Sequence, residues 1–310
     1  MTDPIRLGVL RLTDSAPAVL AEEQGLFAAE GLSVALHVEP SWANVADKLS
    51  WGRLDAAIML LPLTLAMAAG LRGPPARLIV PMGISQGGNT VVISRTIACR
   101  PDGAGLRDWL GGQRERPRFA VVHVYSMHNL LLRHWLAACG VDPDRDLDIV
   151  VIPPERVVAE LAGGRIAGFC AGAPWGDVAE ASGAGRILLG GSAIRPRHPE
   201  KCLTLTRAWA DAEPLAAAAL VRAFQAAQCM CDLPDRAPAL ADLLRRRLDL
   251  PEAPTRATLP GGAGIERVGF AAAAQLDSAE VRWLLGEMRR WGWMDHECDL
   301  DALLEGVYCP

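Results

Sequence analysis

The chain has 310 residues, 51% of them hydrophobic but only 5% aromatic, and a formal net charge of -5. That length exceeds one average domain, and the apolar content excludes a disordered or fibrous chain. The acidic balance, with no block of clustered Lys and Arg, excludes the electrostatic footprint of a duplex-binding surface.

In chain order, Ile5 to Leu12 predicts a first strand, and Thr13-Asp14-Ser15-Ala16-Pro17 supplies cap residues and a proline for a helix running to Gln24. Ser33 to Val38 alternates as a strand, Trp42 to Trp51 reads as a helix, and Asp55 to Leu61 is an apolar strand. A helix from Pro62 to Ala69 leads through Gly73-Pro74-Pro75 to strands at Leu78 to Ile84 and Thr90 to Ser94. The Gly-, Pro- and charge-rich stretch from Arg100 to Arg116 surrounds one short helix and reads as a crossing between lobes. A second α/β set follows: strands at Arg118 to Val124, Asp148 to Ile152, Ile166 to Cys170 and Ile187 to Leu189 alternate with helices capped by Ser126 or opened by Pro154 and Pro174. From Glu213 the chain turns helical, at Leu215 to Cys231, Ala237 to Leu248, Ser278 to Trp291 and Asp299 to Val307. The basic run Arg245-Arg246-Arg247 ends one of these helices, where it complements the dipole.

Alternating strands and helices predict parallel or mixed sheets covered on both faces, with ligand loops outside the carboxyl ends of the strands. Two such units imply two α/β lobes and a cleft between them, lobe I comprising residues 1–96 and 203–310 and lobe II residues 97–202. The broken apolar run after Met1 is too short for an export signal, and Ala56 to Leu71, interrupted by Pro62, falls short of a bilayer span, so a cytoplasmic protein without a membrane anchor is expected. Eight scattered cysteines, including Cys229 and Cys231 at a helix end and Cys309 near the C-terminus, form no C-x-x-C pair and suit free thiols in a reducing compartment.

The loops after the strands are poor in the paired carboxylates or nucleophile-base pairs that acid-base or covalent catalysis needs. They offer Ser41-Trp42, Gln86 to Asn89, Tyr125 to His128, Gly172 to Trp175 and His198 to Lys201. No dinucleotide fingerprint, P-loop or nucleophile elbow is present, so neither a cofactor nor a metal is expected. Ser126-Met127-His128 stands out, because a His in the first helical turn lies where unpaired N–H groups already favour an anion. Strand, helix and turn positions account for His37, His123, His134, His198 and His296 without a ligand. Lys201 sits at a turn into the strand Cys202 to Leu205 and could aim its ammonium at the cleft.

Taken in order, Leu12-Thr13-Asp14-Ser15-Ala16-Pro17, Ser41-Trp42, Gly88-Asn89, Ser126-Met127-His128, Phe169-Cys170-Ala171-Gly172-Ala173-Pro174-Trp175 and His198-Pro199-Glu200-Lys201 resemble the nitrate and bicarbonate branch of the ABC-type solute-binding proteins, the NrtA/NasS-like family. The resemblance covers most of the chain and implies a type 2 periplasmic-binding-protein-like fold that is not an enzyme. It places Trp42, Asn89, His128, Gly172 and Lys201 on the positions that hold the anion. Nitrate has only acceptors, so indole, amide, imidazole, backbone and ammonium N–H groups would satisfy it. Bicarbonate also carries a donor and calls for a carboxylate or carbonyl in its site, so Lys201 tilts the expectation toward nitrate or nitrite.

Two departures bear on selectivity. Asn89 stands where transport members have a longer amide, and Ala173 replaces a Glu of the Gly-Glu-Pro-Trp version of the motif. The Asn resembles the sensor branch, which implies a cytoplasmic protein that sequesters a NasT-type RNA-binding antiterminator until nitrate or nitrite arrives. The alternatives are the binding component of an ABC-type nitrate, bicarbonate or sulfonate importer and, on the same fold, a thiamine-pyrimidine-synthase-like enzyme, whose clustered cysteines and cofactor lysine this chain lacks.

Overall fold

The computed structural model describes residues 3–308; Cys309 lies outside them. Eleven strands form two sheets: β1 (Ile5–Val9), β2 (Val34–Val38), β3 (Ala56–Leu60), β4 (Leu78–Gly87), β5 (Asn89–Ser94), β6 (Arg118–Val121), β7 (Asp148–Val151), β8 (Gly168–Gly172), β9 (Gly185–Gly190), β10 (Pro199–Thr206) and β11 (Val268–Gly269). The first sheet has the order β11-β4-β10-β3-β1-β2, and the second β7-β6-β8-β5-β9. In each, a parallel core made by strand-helix-strand crossovers (β2-β1-β3 and β7-β6-β8) is extended by antiparallel strands. This is the α/β, two-lobed architecture expected.

Strands β3 and β8 read as unbroken apolar runs because both faces are covered, and every residue of β3, β5 and β8 is buried. Side-chain caps start the two helices that matter most for the cleft. Ser41 Oγ accepts from Asn44 N at 3.2 Å, and Ser126 Oγ accepts from Asn129 N at 3.1 Å, so Trp42 and His128 fall in first helical turns directly after β2 and β6.

The lobe boundaries differ from the sequence-based ones. Strand β5 belongs to the second sheet, so the first crossing is the Gly87-Gly88 pair and not the region of residue 96. Both glycines have positive φ, +71° and +78°, and a Cβ on Gly88 would lie 2.6 Å from Val268 Cγ2, so this turn requires glycine. The return crossing runs through residues 191–198, because β10, Lys201 included, is a strand of the first sheet from Pro199 onward. Glu266 grips both crossings: its carboxylate accepts from Ser192 Oγ at 2.5 Å, Ser192 N at 3.1 Å and Gly88 N at 3.4 Å.

Nor is the tail confined to lobe I. The helix Pro214–Cys231 packs on Ala16–Glu23 of the first lobe, whereas Glu252–Thr258, a helix not anticipated, packs on Trp175–Ala181 of the second, and Ser278–Arg290 packs on Met127–Ala138. The lobes touch across the cleft. Arg11 pairs with Glu155 at 3.0 Å, the Thr13 N–H donates to Ala173 O at 3.0 Å, and the Tyr125 hydroxyl donates to Leu71 O at 3.2 Å. No helix among the described residues is long and apolar enough to cross a membrane.

The second sheet leaves no room at its centre. A Cβ on Gly168 would stand 2.5 Å from Phe119 Cε1 and 2.5 Å from Val92 O, both inside van der Waals limits. Gly168→Ala should therefore overpack the β6-β8-β5 core and destabilise the fold by about 1–3 kcal/mol. Urea unfolding of parent and variant measures this, and equal midpoints would contradict the close approach.

Candidate functional site

The site is assembled from both lobes, by loops and helix starts after β1, β2 and β6 and by residues within β5, β8 and β10. After β1 a tight turn, in which Ser15 Oγ donates to Leu10 O at 2.7 Å and Thr13 Oγ1 meets Thr258 Oγ1 at 3.1 Å, holds Asp14 inward. Trp42 opens the helix after β2, His128 is the second residue of the helix after β6, Gly172 ends β8, Asn89 begins β5, and Lys201 lies in β10. None of Asp14, Trp42, Asn89, His128, His198, Glu200 and Lys201 is more than 1% exposed, and Gly172 is buried with them.

The five residues expected from the sequence do converge. A Cβ on Gly172 would lie 3.2 Å from His128 Nε2, 3.6 Å from Asn89 Oδ1 and 3.7 Å from Asp14 Oδ2. The missing side chain at Gly172 thus marks a small space into which an imidazole, an amide and a carboxylate all reach, with scarcely room for a methyl group. Lys201 Nζ is 3.0 Å from Asp14 Oδ2 and sits over the Trp42 ring, 5.3 Å from its centroid. Ammonium, aromatic face and carboxylate are therefore stacked beside that space.

Three features depart from expectation. First, the lining is not donor-only, because Asp14 and Glu200 are buried in it. Glu200 pairs with Lys201, accepts from Asn89 Nδ2 at 2.7 Å and lies 3.4 Å from His128 Nε2. The acceptor argument that set nitrate above bicarbonate therefore no longer holds. Second, Asn89 does not present its N–H groups to the space: its Nδ2 is taken up by Glu200 and by His198 Nε2 at 3.0 Å, which leaves Oδ1 facing Gly172 without a partner. The buried carboxylate needs a donor, and the amide supplies it. Third, His198 is part of the cluster rather than a turn histidine. Its Nδ1 lies 2.8 Å from Arg195 O, and its ring fills the gap left by Gly191, where a Cβ would meet His198 Cε1 at 2.7 Å.

Glu200 and Lys201 are neighbours in a strand, where regular alternation would send them to opposite faces. The register of β10 against β4 shifts on both sides of Lys201, and this bulge turns both side chains into one cluster. In that setting burial lowers the Lys201 pKa, but Asp14 and Glu200 outweigh it and raise the pKa overall. Burial raises Glu200, and Lys201, His128 and the Asn89 hydrogen bond more than reverse this. Asp14 ends above the ordinary carboxylate range, through burial and the nearby Glu200, against the pull of Lys201. Burial brings His128 down to about 4, with Glu200 opposing and Lys201 and His198 assisting, so the imidazole is neutral. Both of its nitrogens, the Trp42 indole N–H, Asp14 Oδ1 and Ser85 Oγ have no hydrogen-bond partner. Buried polar groups in this number, grouped around one space, are the signature of a binding site for a small polar guest. No nucleophile-base pair occurs in it.

The NMT1-like family profile matches residues 2–245. The chain belongs to the NMT1-like family. It is 33% identical to the nitrate import ATP-binding protein NrtC of Synechocystis over 98% of this chain and 48% of that protein. It is also 33% identical to the bicarbonate transport ATP-binding protein CmpC of Synechococcus elongatus, over 98% of this chain and 47% of that one. The chain thus spans about half the length of these curated relatives. The crystal structure of the periplasmic nitrate-binding protein NrtA from Synechocystis superposes with a TM-score of 0.91 at 25% identity, covering 98% of this chain and 86% of that one. The chain is homologous to the NrtA proteins, its fold is that of the solute-binding proteins, and these homologues are binding proteins rather than enzymes.

Removing Lys201 strands two carboxylates in a sealed space. Lys201→Ala should cost about 3–5 kcal/mol of stability, the range for breaking a buried ion pair by deleting one partner. Adding Asp14→Asn should recover a large part of it. A double-mutant cycle in urea at pH 7.5 reads the coupling, and additive losses would show that the two groups do not share a cluster.

Proposed function

We propose that this protein is a cytoplasmic nitrate or nitrite sensor that closes its two lobes on the anion and, without it, sequesters an RNA-binding antiterminator of the NasT type. The observation that carries the ligand assignment is the meeting of buried polar groups from both lobes beside the bare Cα of Gly172. The His128 imidazole stands there with no hydrogen-bond partner, and Lys201, paired with two carboxylates, lies close by over the ring of Trp42, whose own N–H is unsatisfied. A small oxyanion answers the donors of that set, and the choice of nitrate or nitrite among such anions rests on the homology. The acceptors of Glu200 are already engaged by Lys201 and Asn89, so they hold the donors in place. The homology to nitrate-binding NrtA supports the same choice.

Because the ligand-contacting residues come from both lobes and both crossings are short, binding energy translates directly into closure. A partner that recognises the open form would be released by it, with a coupling of about 1–3 kcal/mol, or roughly 5- to 150-fold in affinity. The seven described cysteines are free thiols, and five of them are buried as small hydrophobes, which supports a reducing compartment.

A second reading has a specific observation in its favour. About half of each of the two import ATP-binding relatives is spanned by this chain, so a binding module serving an ABC-type nitrate or bicarbonate importer would use the same site with a different partner.

Isothermal titration with nitrate, nitrite, bicarbonate and an alkanesulfonate tests the ligand. Nitrate or nitrite should bind one per chain. Gly172→Ala should abolish binding by filling the space. His128→Ala should weaken it by about 1.5–3 kcal/mol, the value of a hydrogen bond to a charged group. His37→Ala, on the outer strand β2, should leave it unchanged. Bicarbonate binding with no response to nitrate or nitrite would overturn the ligand assignment. For the sensor role, antiterminator affinity should fall in saturating nitrate, and an unchanged affinity would favour the importer module.

A further inference from the structure

The charges in the site do not balance. Lys201 is one cation between two carboxylates, Asp14 at 3.0 Å and Glu200 in direct contact, and the neighbouring His128 is neutral. All four groups are sealed from water. With both carboxylates ionised the cluster carries one net negative charge, and a bound monoanion would raise it to two where bulk water cannot screen it. Helix N-termini after β2 and β6 offset part of this, but they carry only about half a charge each.

We infer that this site takes up its anion together with one proton, which stays on the Asp14 carboxyl and from there makes a hydrogen bond to the bound anion. The inference rests on the anion-binding reading above.

The groups that face Asp14 single it out as the carrier. From β10 come Lys201 and Glu200, from β4 the Ser85 hydroxyl, and from the helix Met127–Ala138 the His128 imidazole, 3.4 Å from Glu200. Gly172 of β8 and the Thr258 hydroxyl that meets Thr13 bring no charge. Glu200 is held ionised by Lys201 and the Asn89 amide, whereas Asp14 has a single charged partner, Lys201 on Oδ2, and otherwise only the Ser85 hydroxyl. When an anion approaches Lys201 it competes for the one interaction that keeps Asp14 ionised, and burial already favours the neutral acid. Protonated, Asp14 changes from an acceptor that repels the guest into a donor that holds it. The carboxylates that argue against a nitrate site then become compatible with one.

The sign of the pH dependence follows. If binding takes up one proton, affinity strengthens as pH falls through the range in which free Asp14 is ionised, by about tenfold per pH unit. Nitrate titrations of the full chain at pH 6.0 to 8.5, each in two buffers of different ionisation enthalpy, give both affinity and protons taken up. The expected result is about one proton per nitrate and the corresponding slope. In Asp14→Asn, whose amide is a permanent neutral donor, uptake should fall to about zero. Nitrate should then bind that variant more tightly than the parent at pH 8.5, with little pH dependence. Tight nitrate binding by the parent with no proton uptake and a flat pH profile would overturn the inference while leaving the anion reading intact. Uptake that persists in Asp14→Asn and disappears in His128→Gln would overturn the assignment to Asp14. No nitrate or nitrite binding at any pH would overturn the anion reading, and this inference with it.

Discussion

An ammonium enclosed by two carboxylates, with no solvent to share the charge, is the arrangement on which the rest of this structure depends. Lys201 cannot be buried alone, and the residues that make its burial tolerable come from separate parts of the chain: Asp14 from the turn after β1, Glu200 from the bulge in β10, and Asn89, which supports Glu200, from the second lobe. Each is held by its own local device, a tight turn, a bulge or a strand start. The cluster thus ties the two sheets together at the proposed anion site, so that satisfying these charges requires both lobes at once.

Much of this was legible in the sequence, for identifiable reasons. The alternation of apolar runs with capped helical segments marks the two α/β units, because burial on both faces forces unbroken hydrophobic strands such as Ala56–Leu60 and Gly168–Gly172. His128 was readable as a candidate because Ser126 announces a helix start, and a helix start after a strand opens onto the cleft, whereas Trp42 came from the family resemblance. Gly172 and Lys201 rested on the family resemblance rather than on pattern, since a glycine or a lysine alone says nothing about where it faces.

What escaped the sequence reading has physical causes too. Asp14 looked like an ordinary helix-cap residue, and nothing local distinguishes a solvated cap from a carboxylate turned inward. Glu200 was visible in His198-Pro199-Glu200-Lys201, but period-two alternation assigns it to the face away from Lys201, and the bulge that cancels this is a property of pairing with β4. The available signal was two adjacent opposite charges heading an otherwise apolar strand. The first crossing was placed too late because a Gly-Pro-rich loop near residue 100 is a more familiar linker than two glycines between strands. Gln86-Gly87-Gly88-Asn89 nevertheless held the clue, as only glycine accommodates both dihedrals there.

Glu266 has a mechanical meaning beyond its hydrogen bonds. One carboxylate grips the Gly87-Gly88 crossing and the return crossing at Ser192, so the two connecting strips of backbone are pinned to a common point. Neither strip can twist without dragging the other. A shared anchor of this kind favours relative motion of the two halves about one axis over sideways sliding, and so preserves the alignment that charges spaced only a few ångströms apart require.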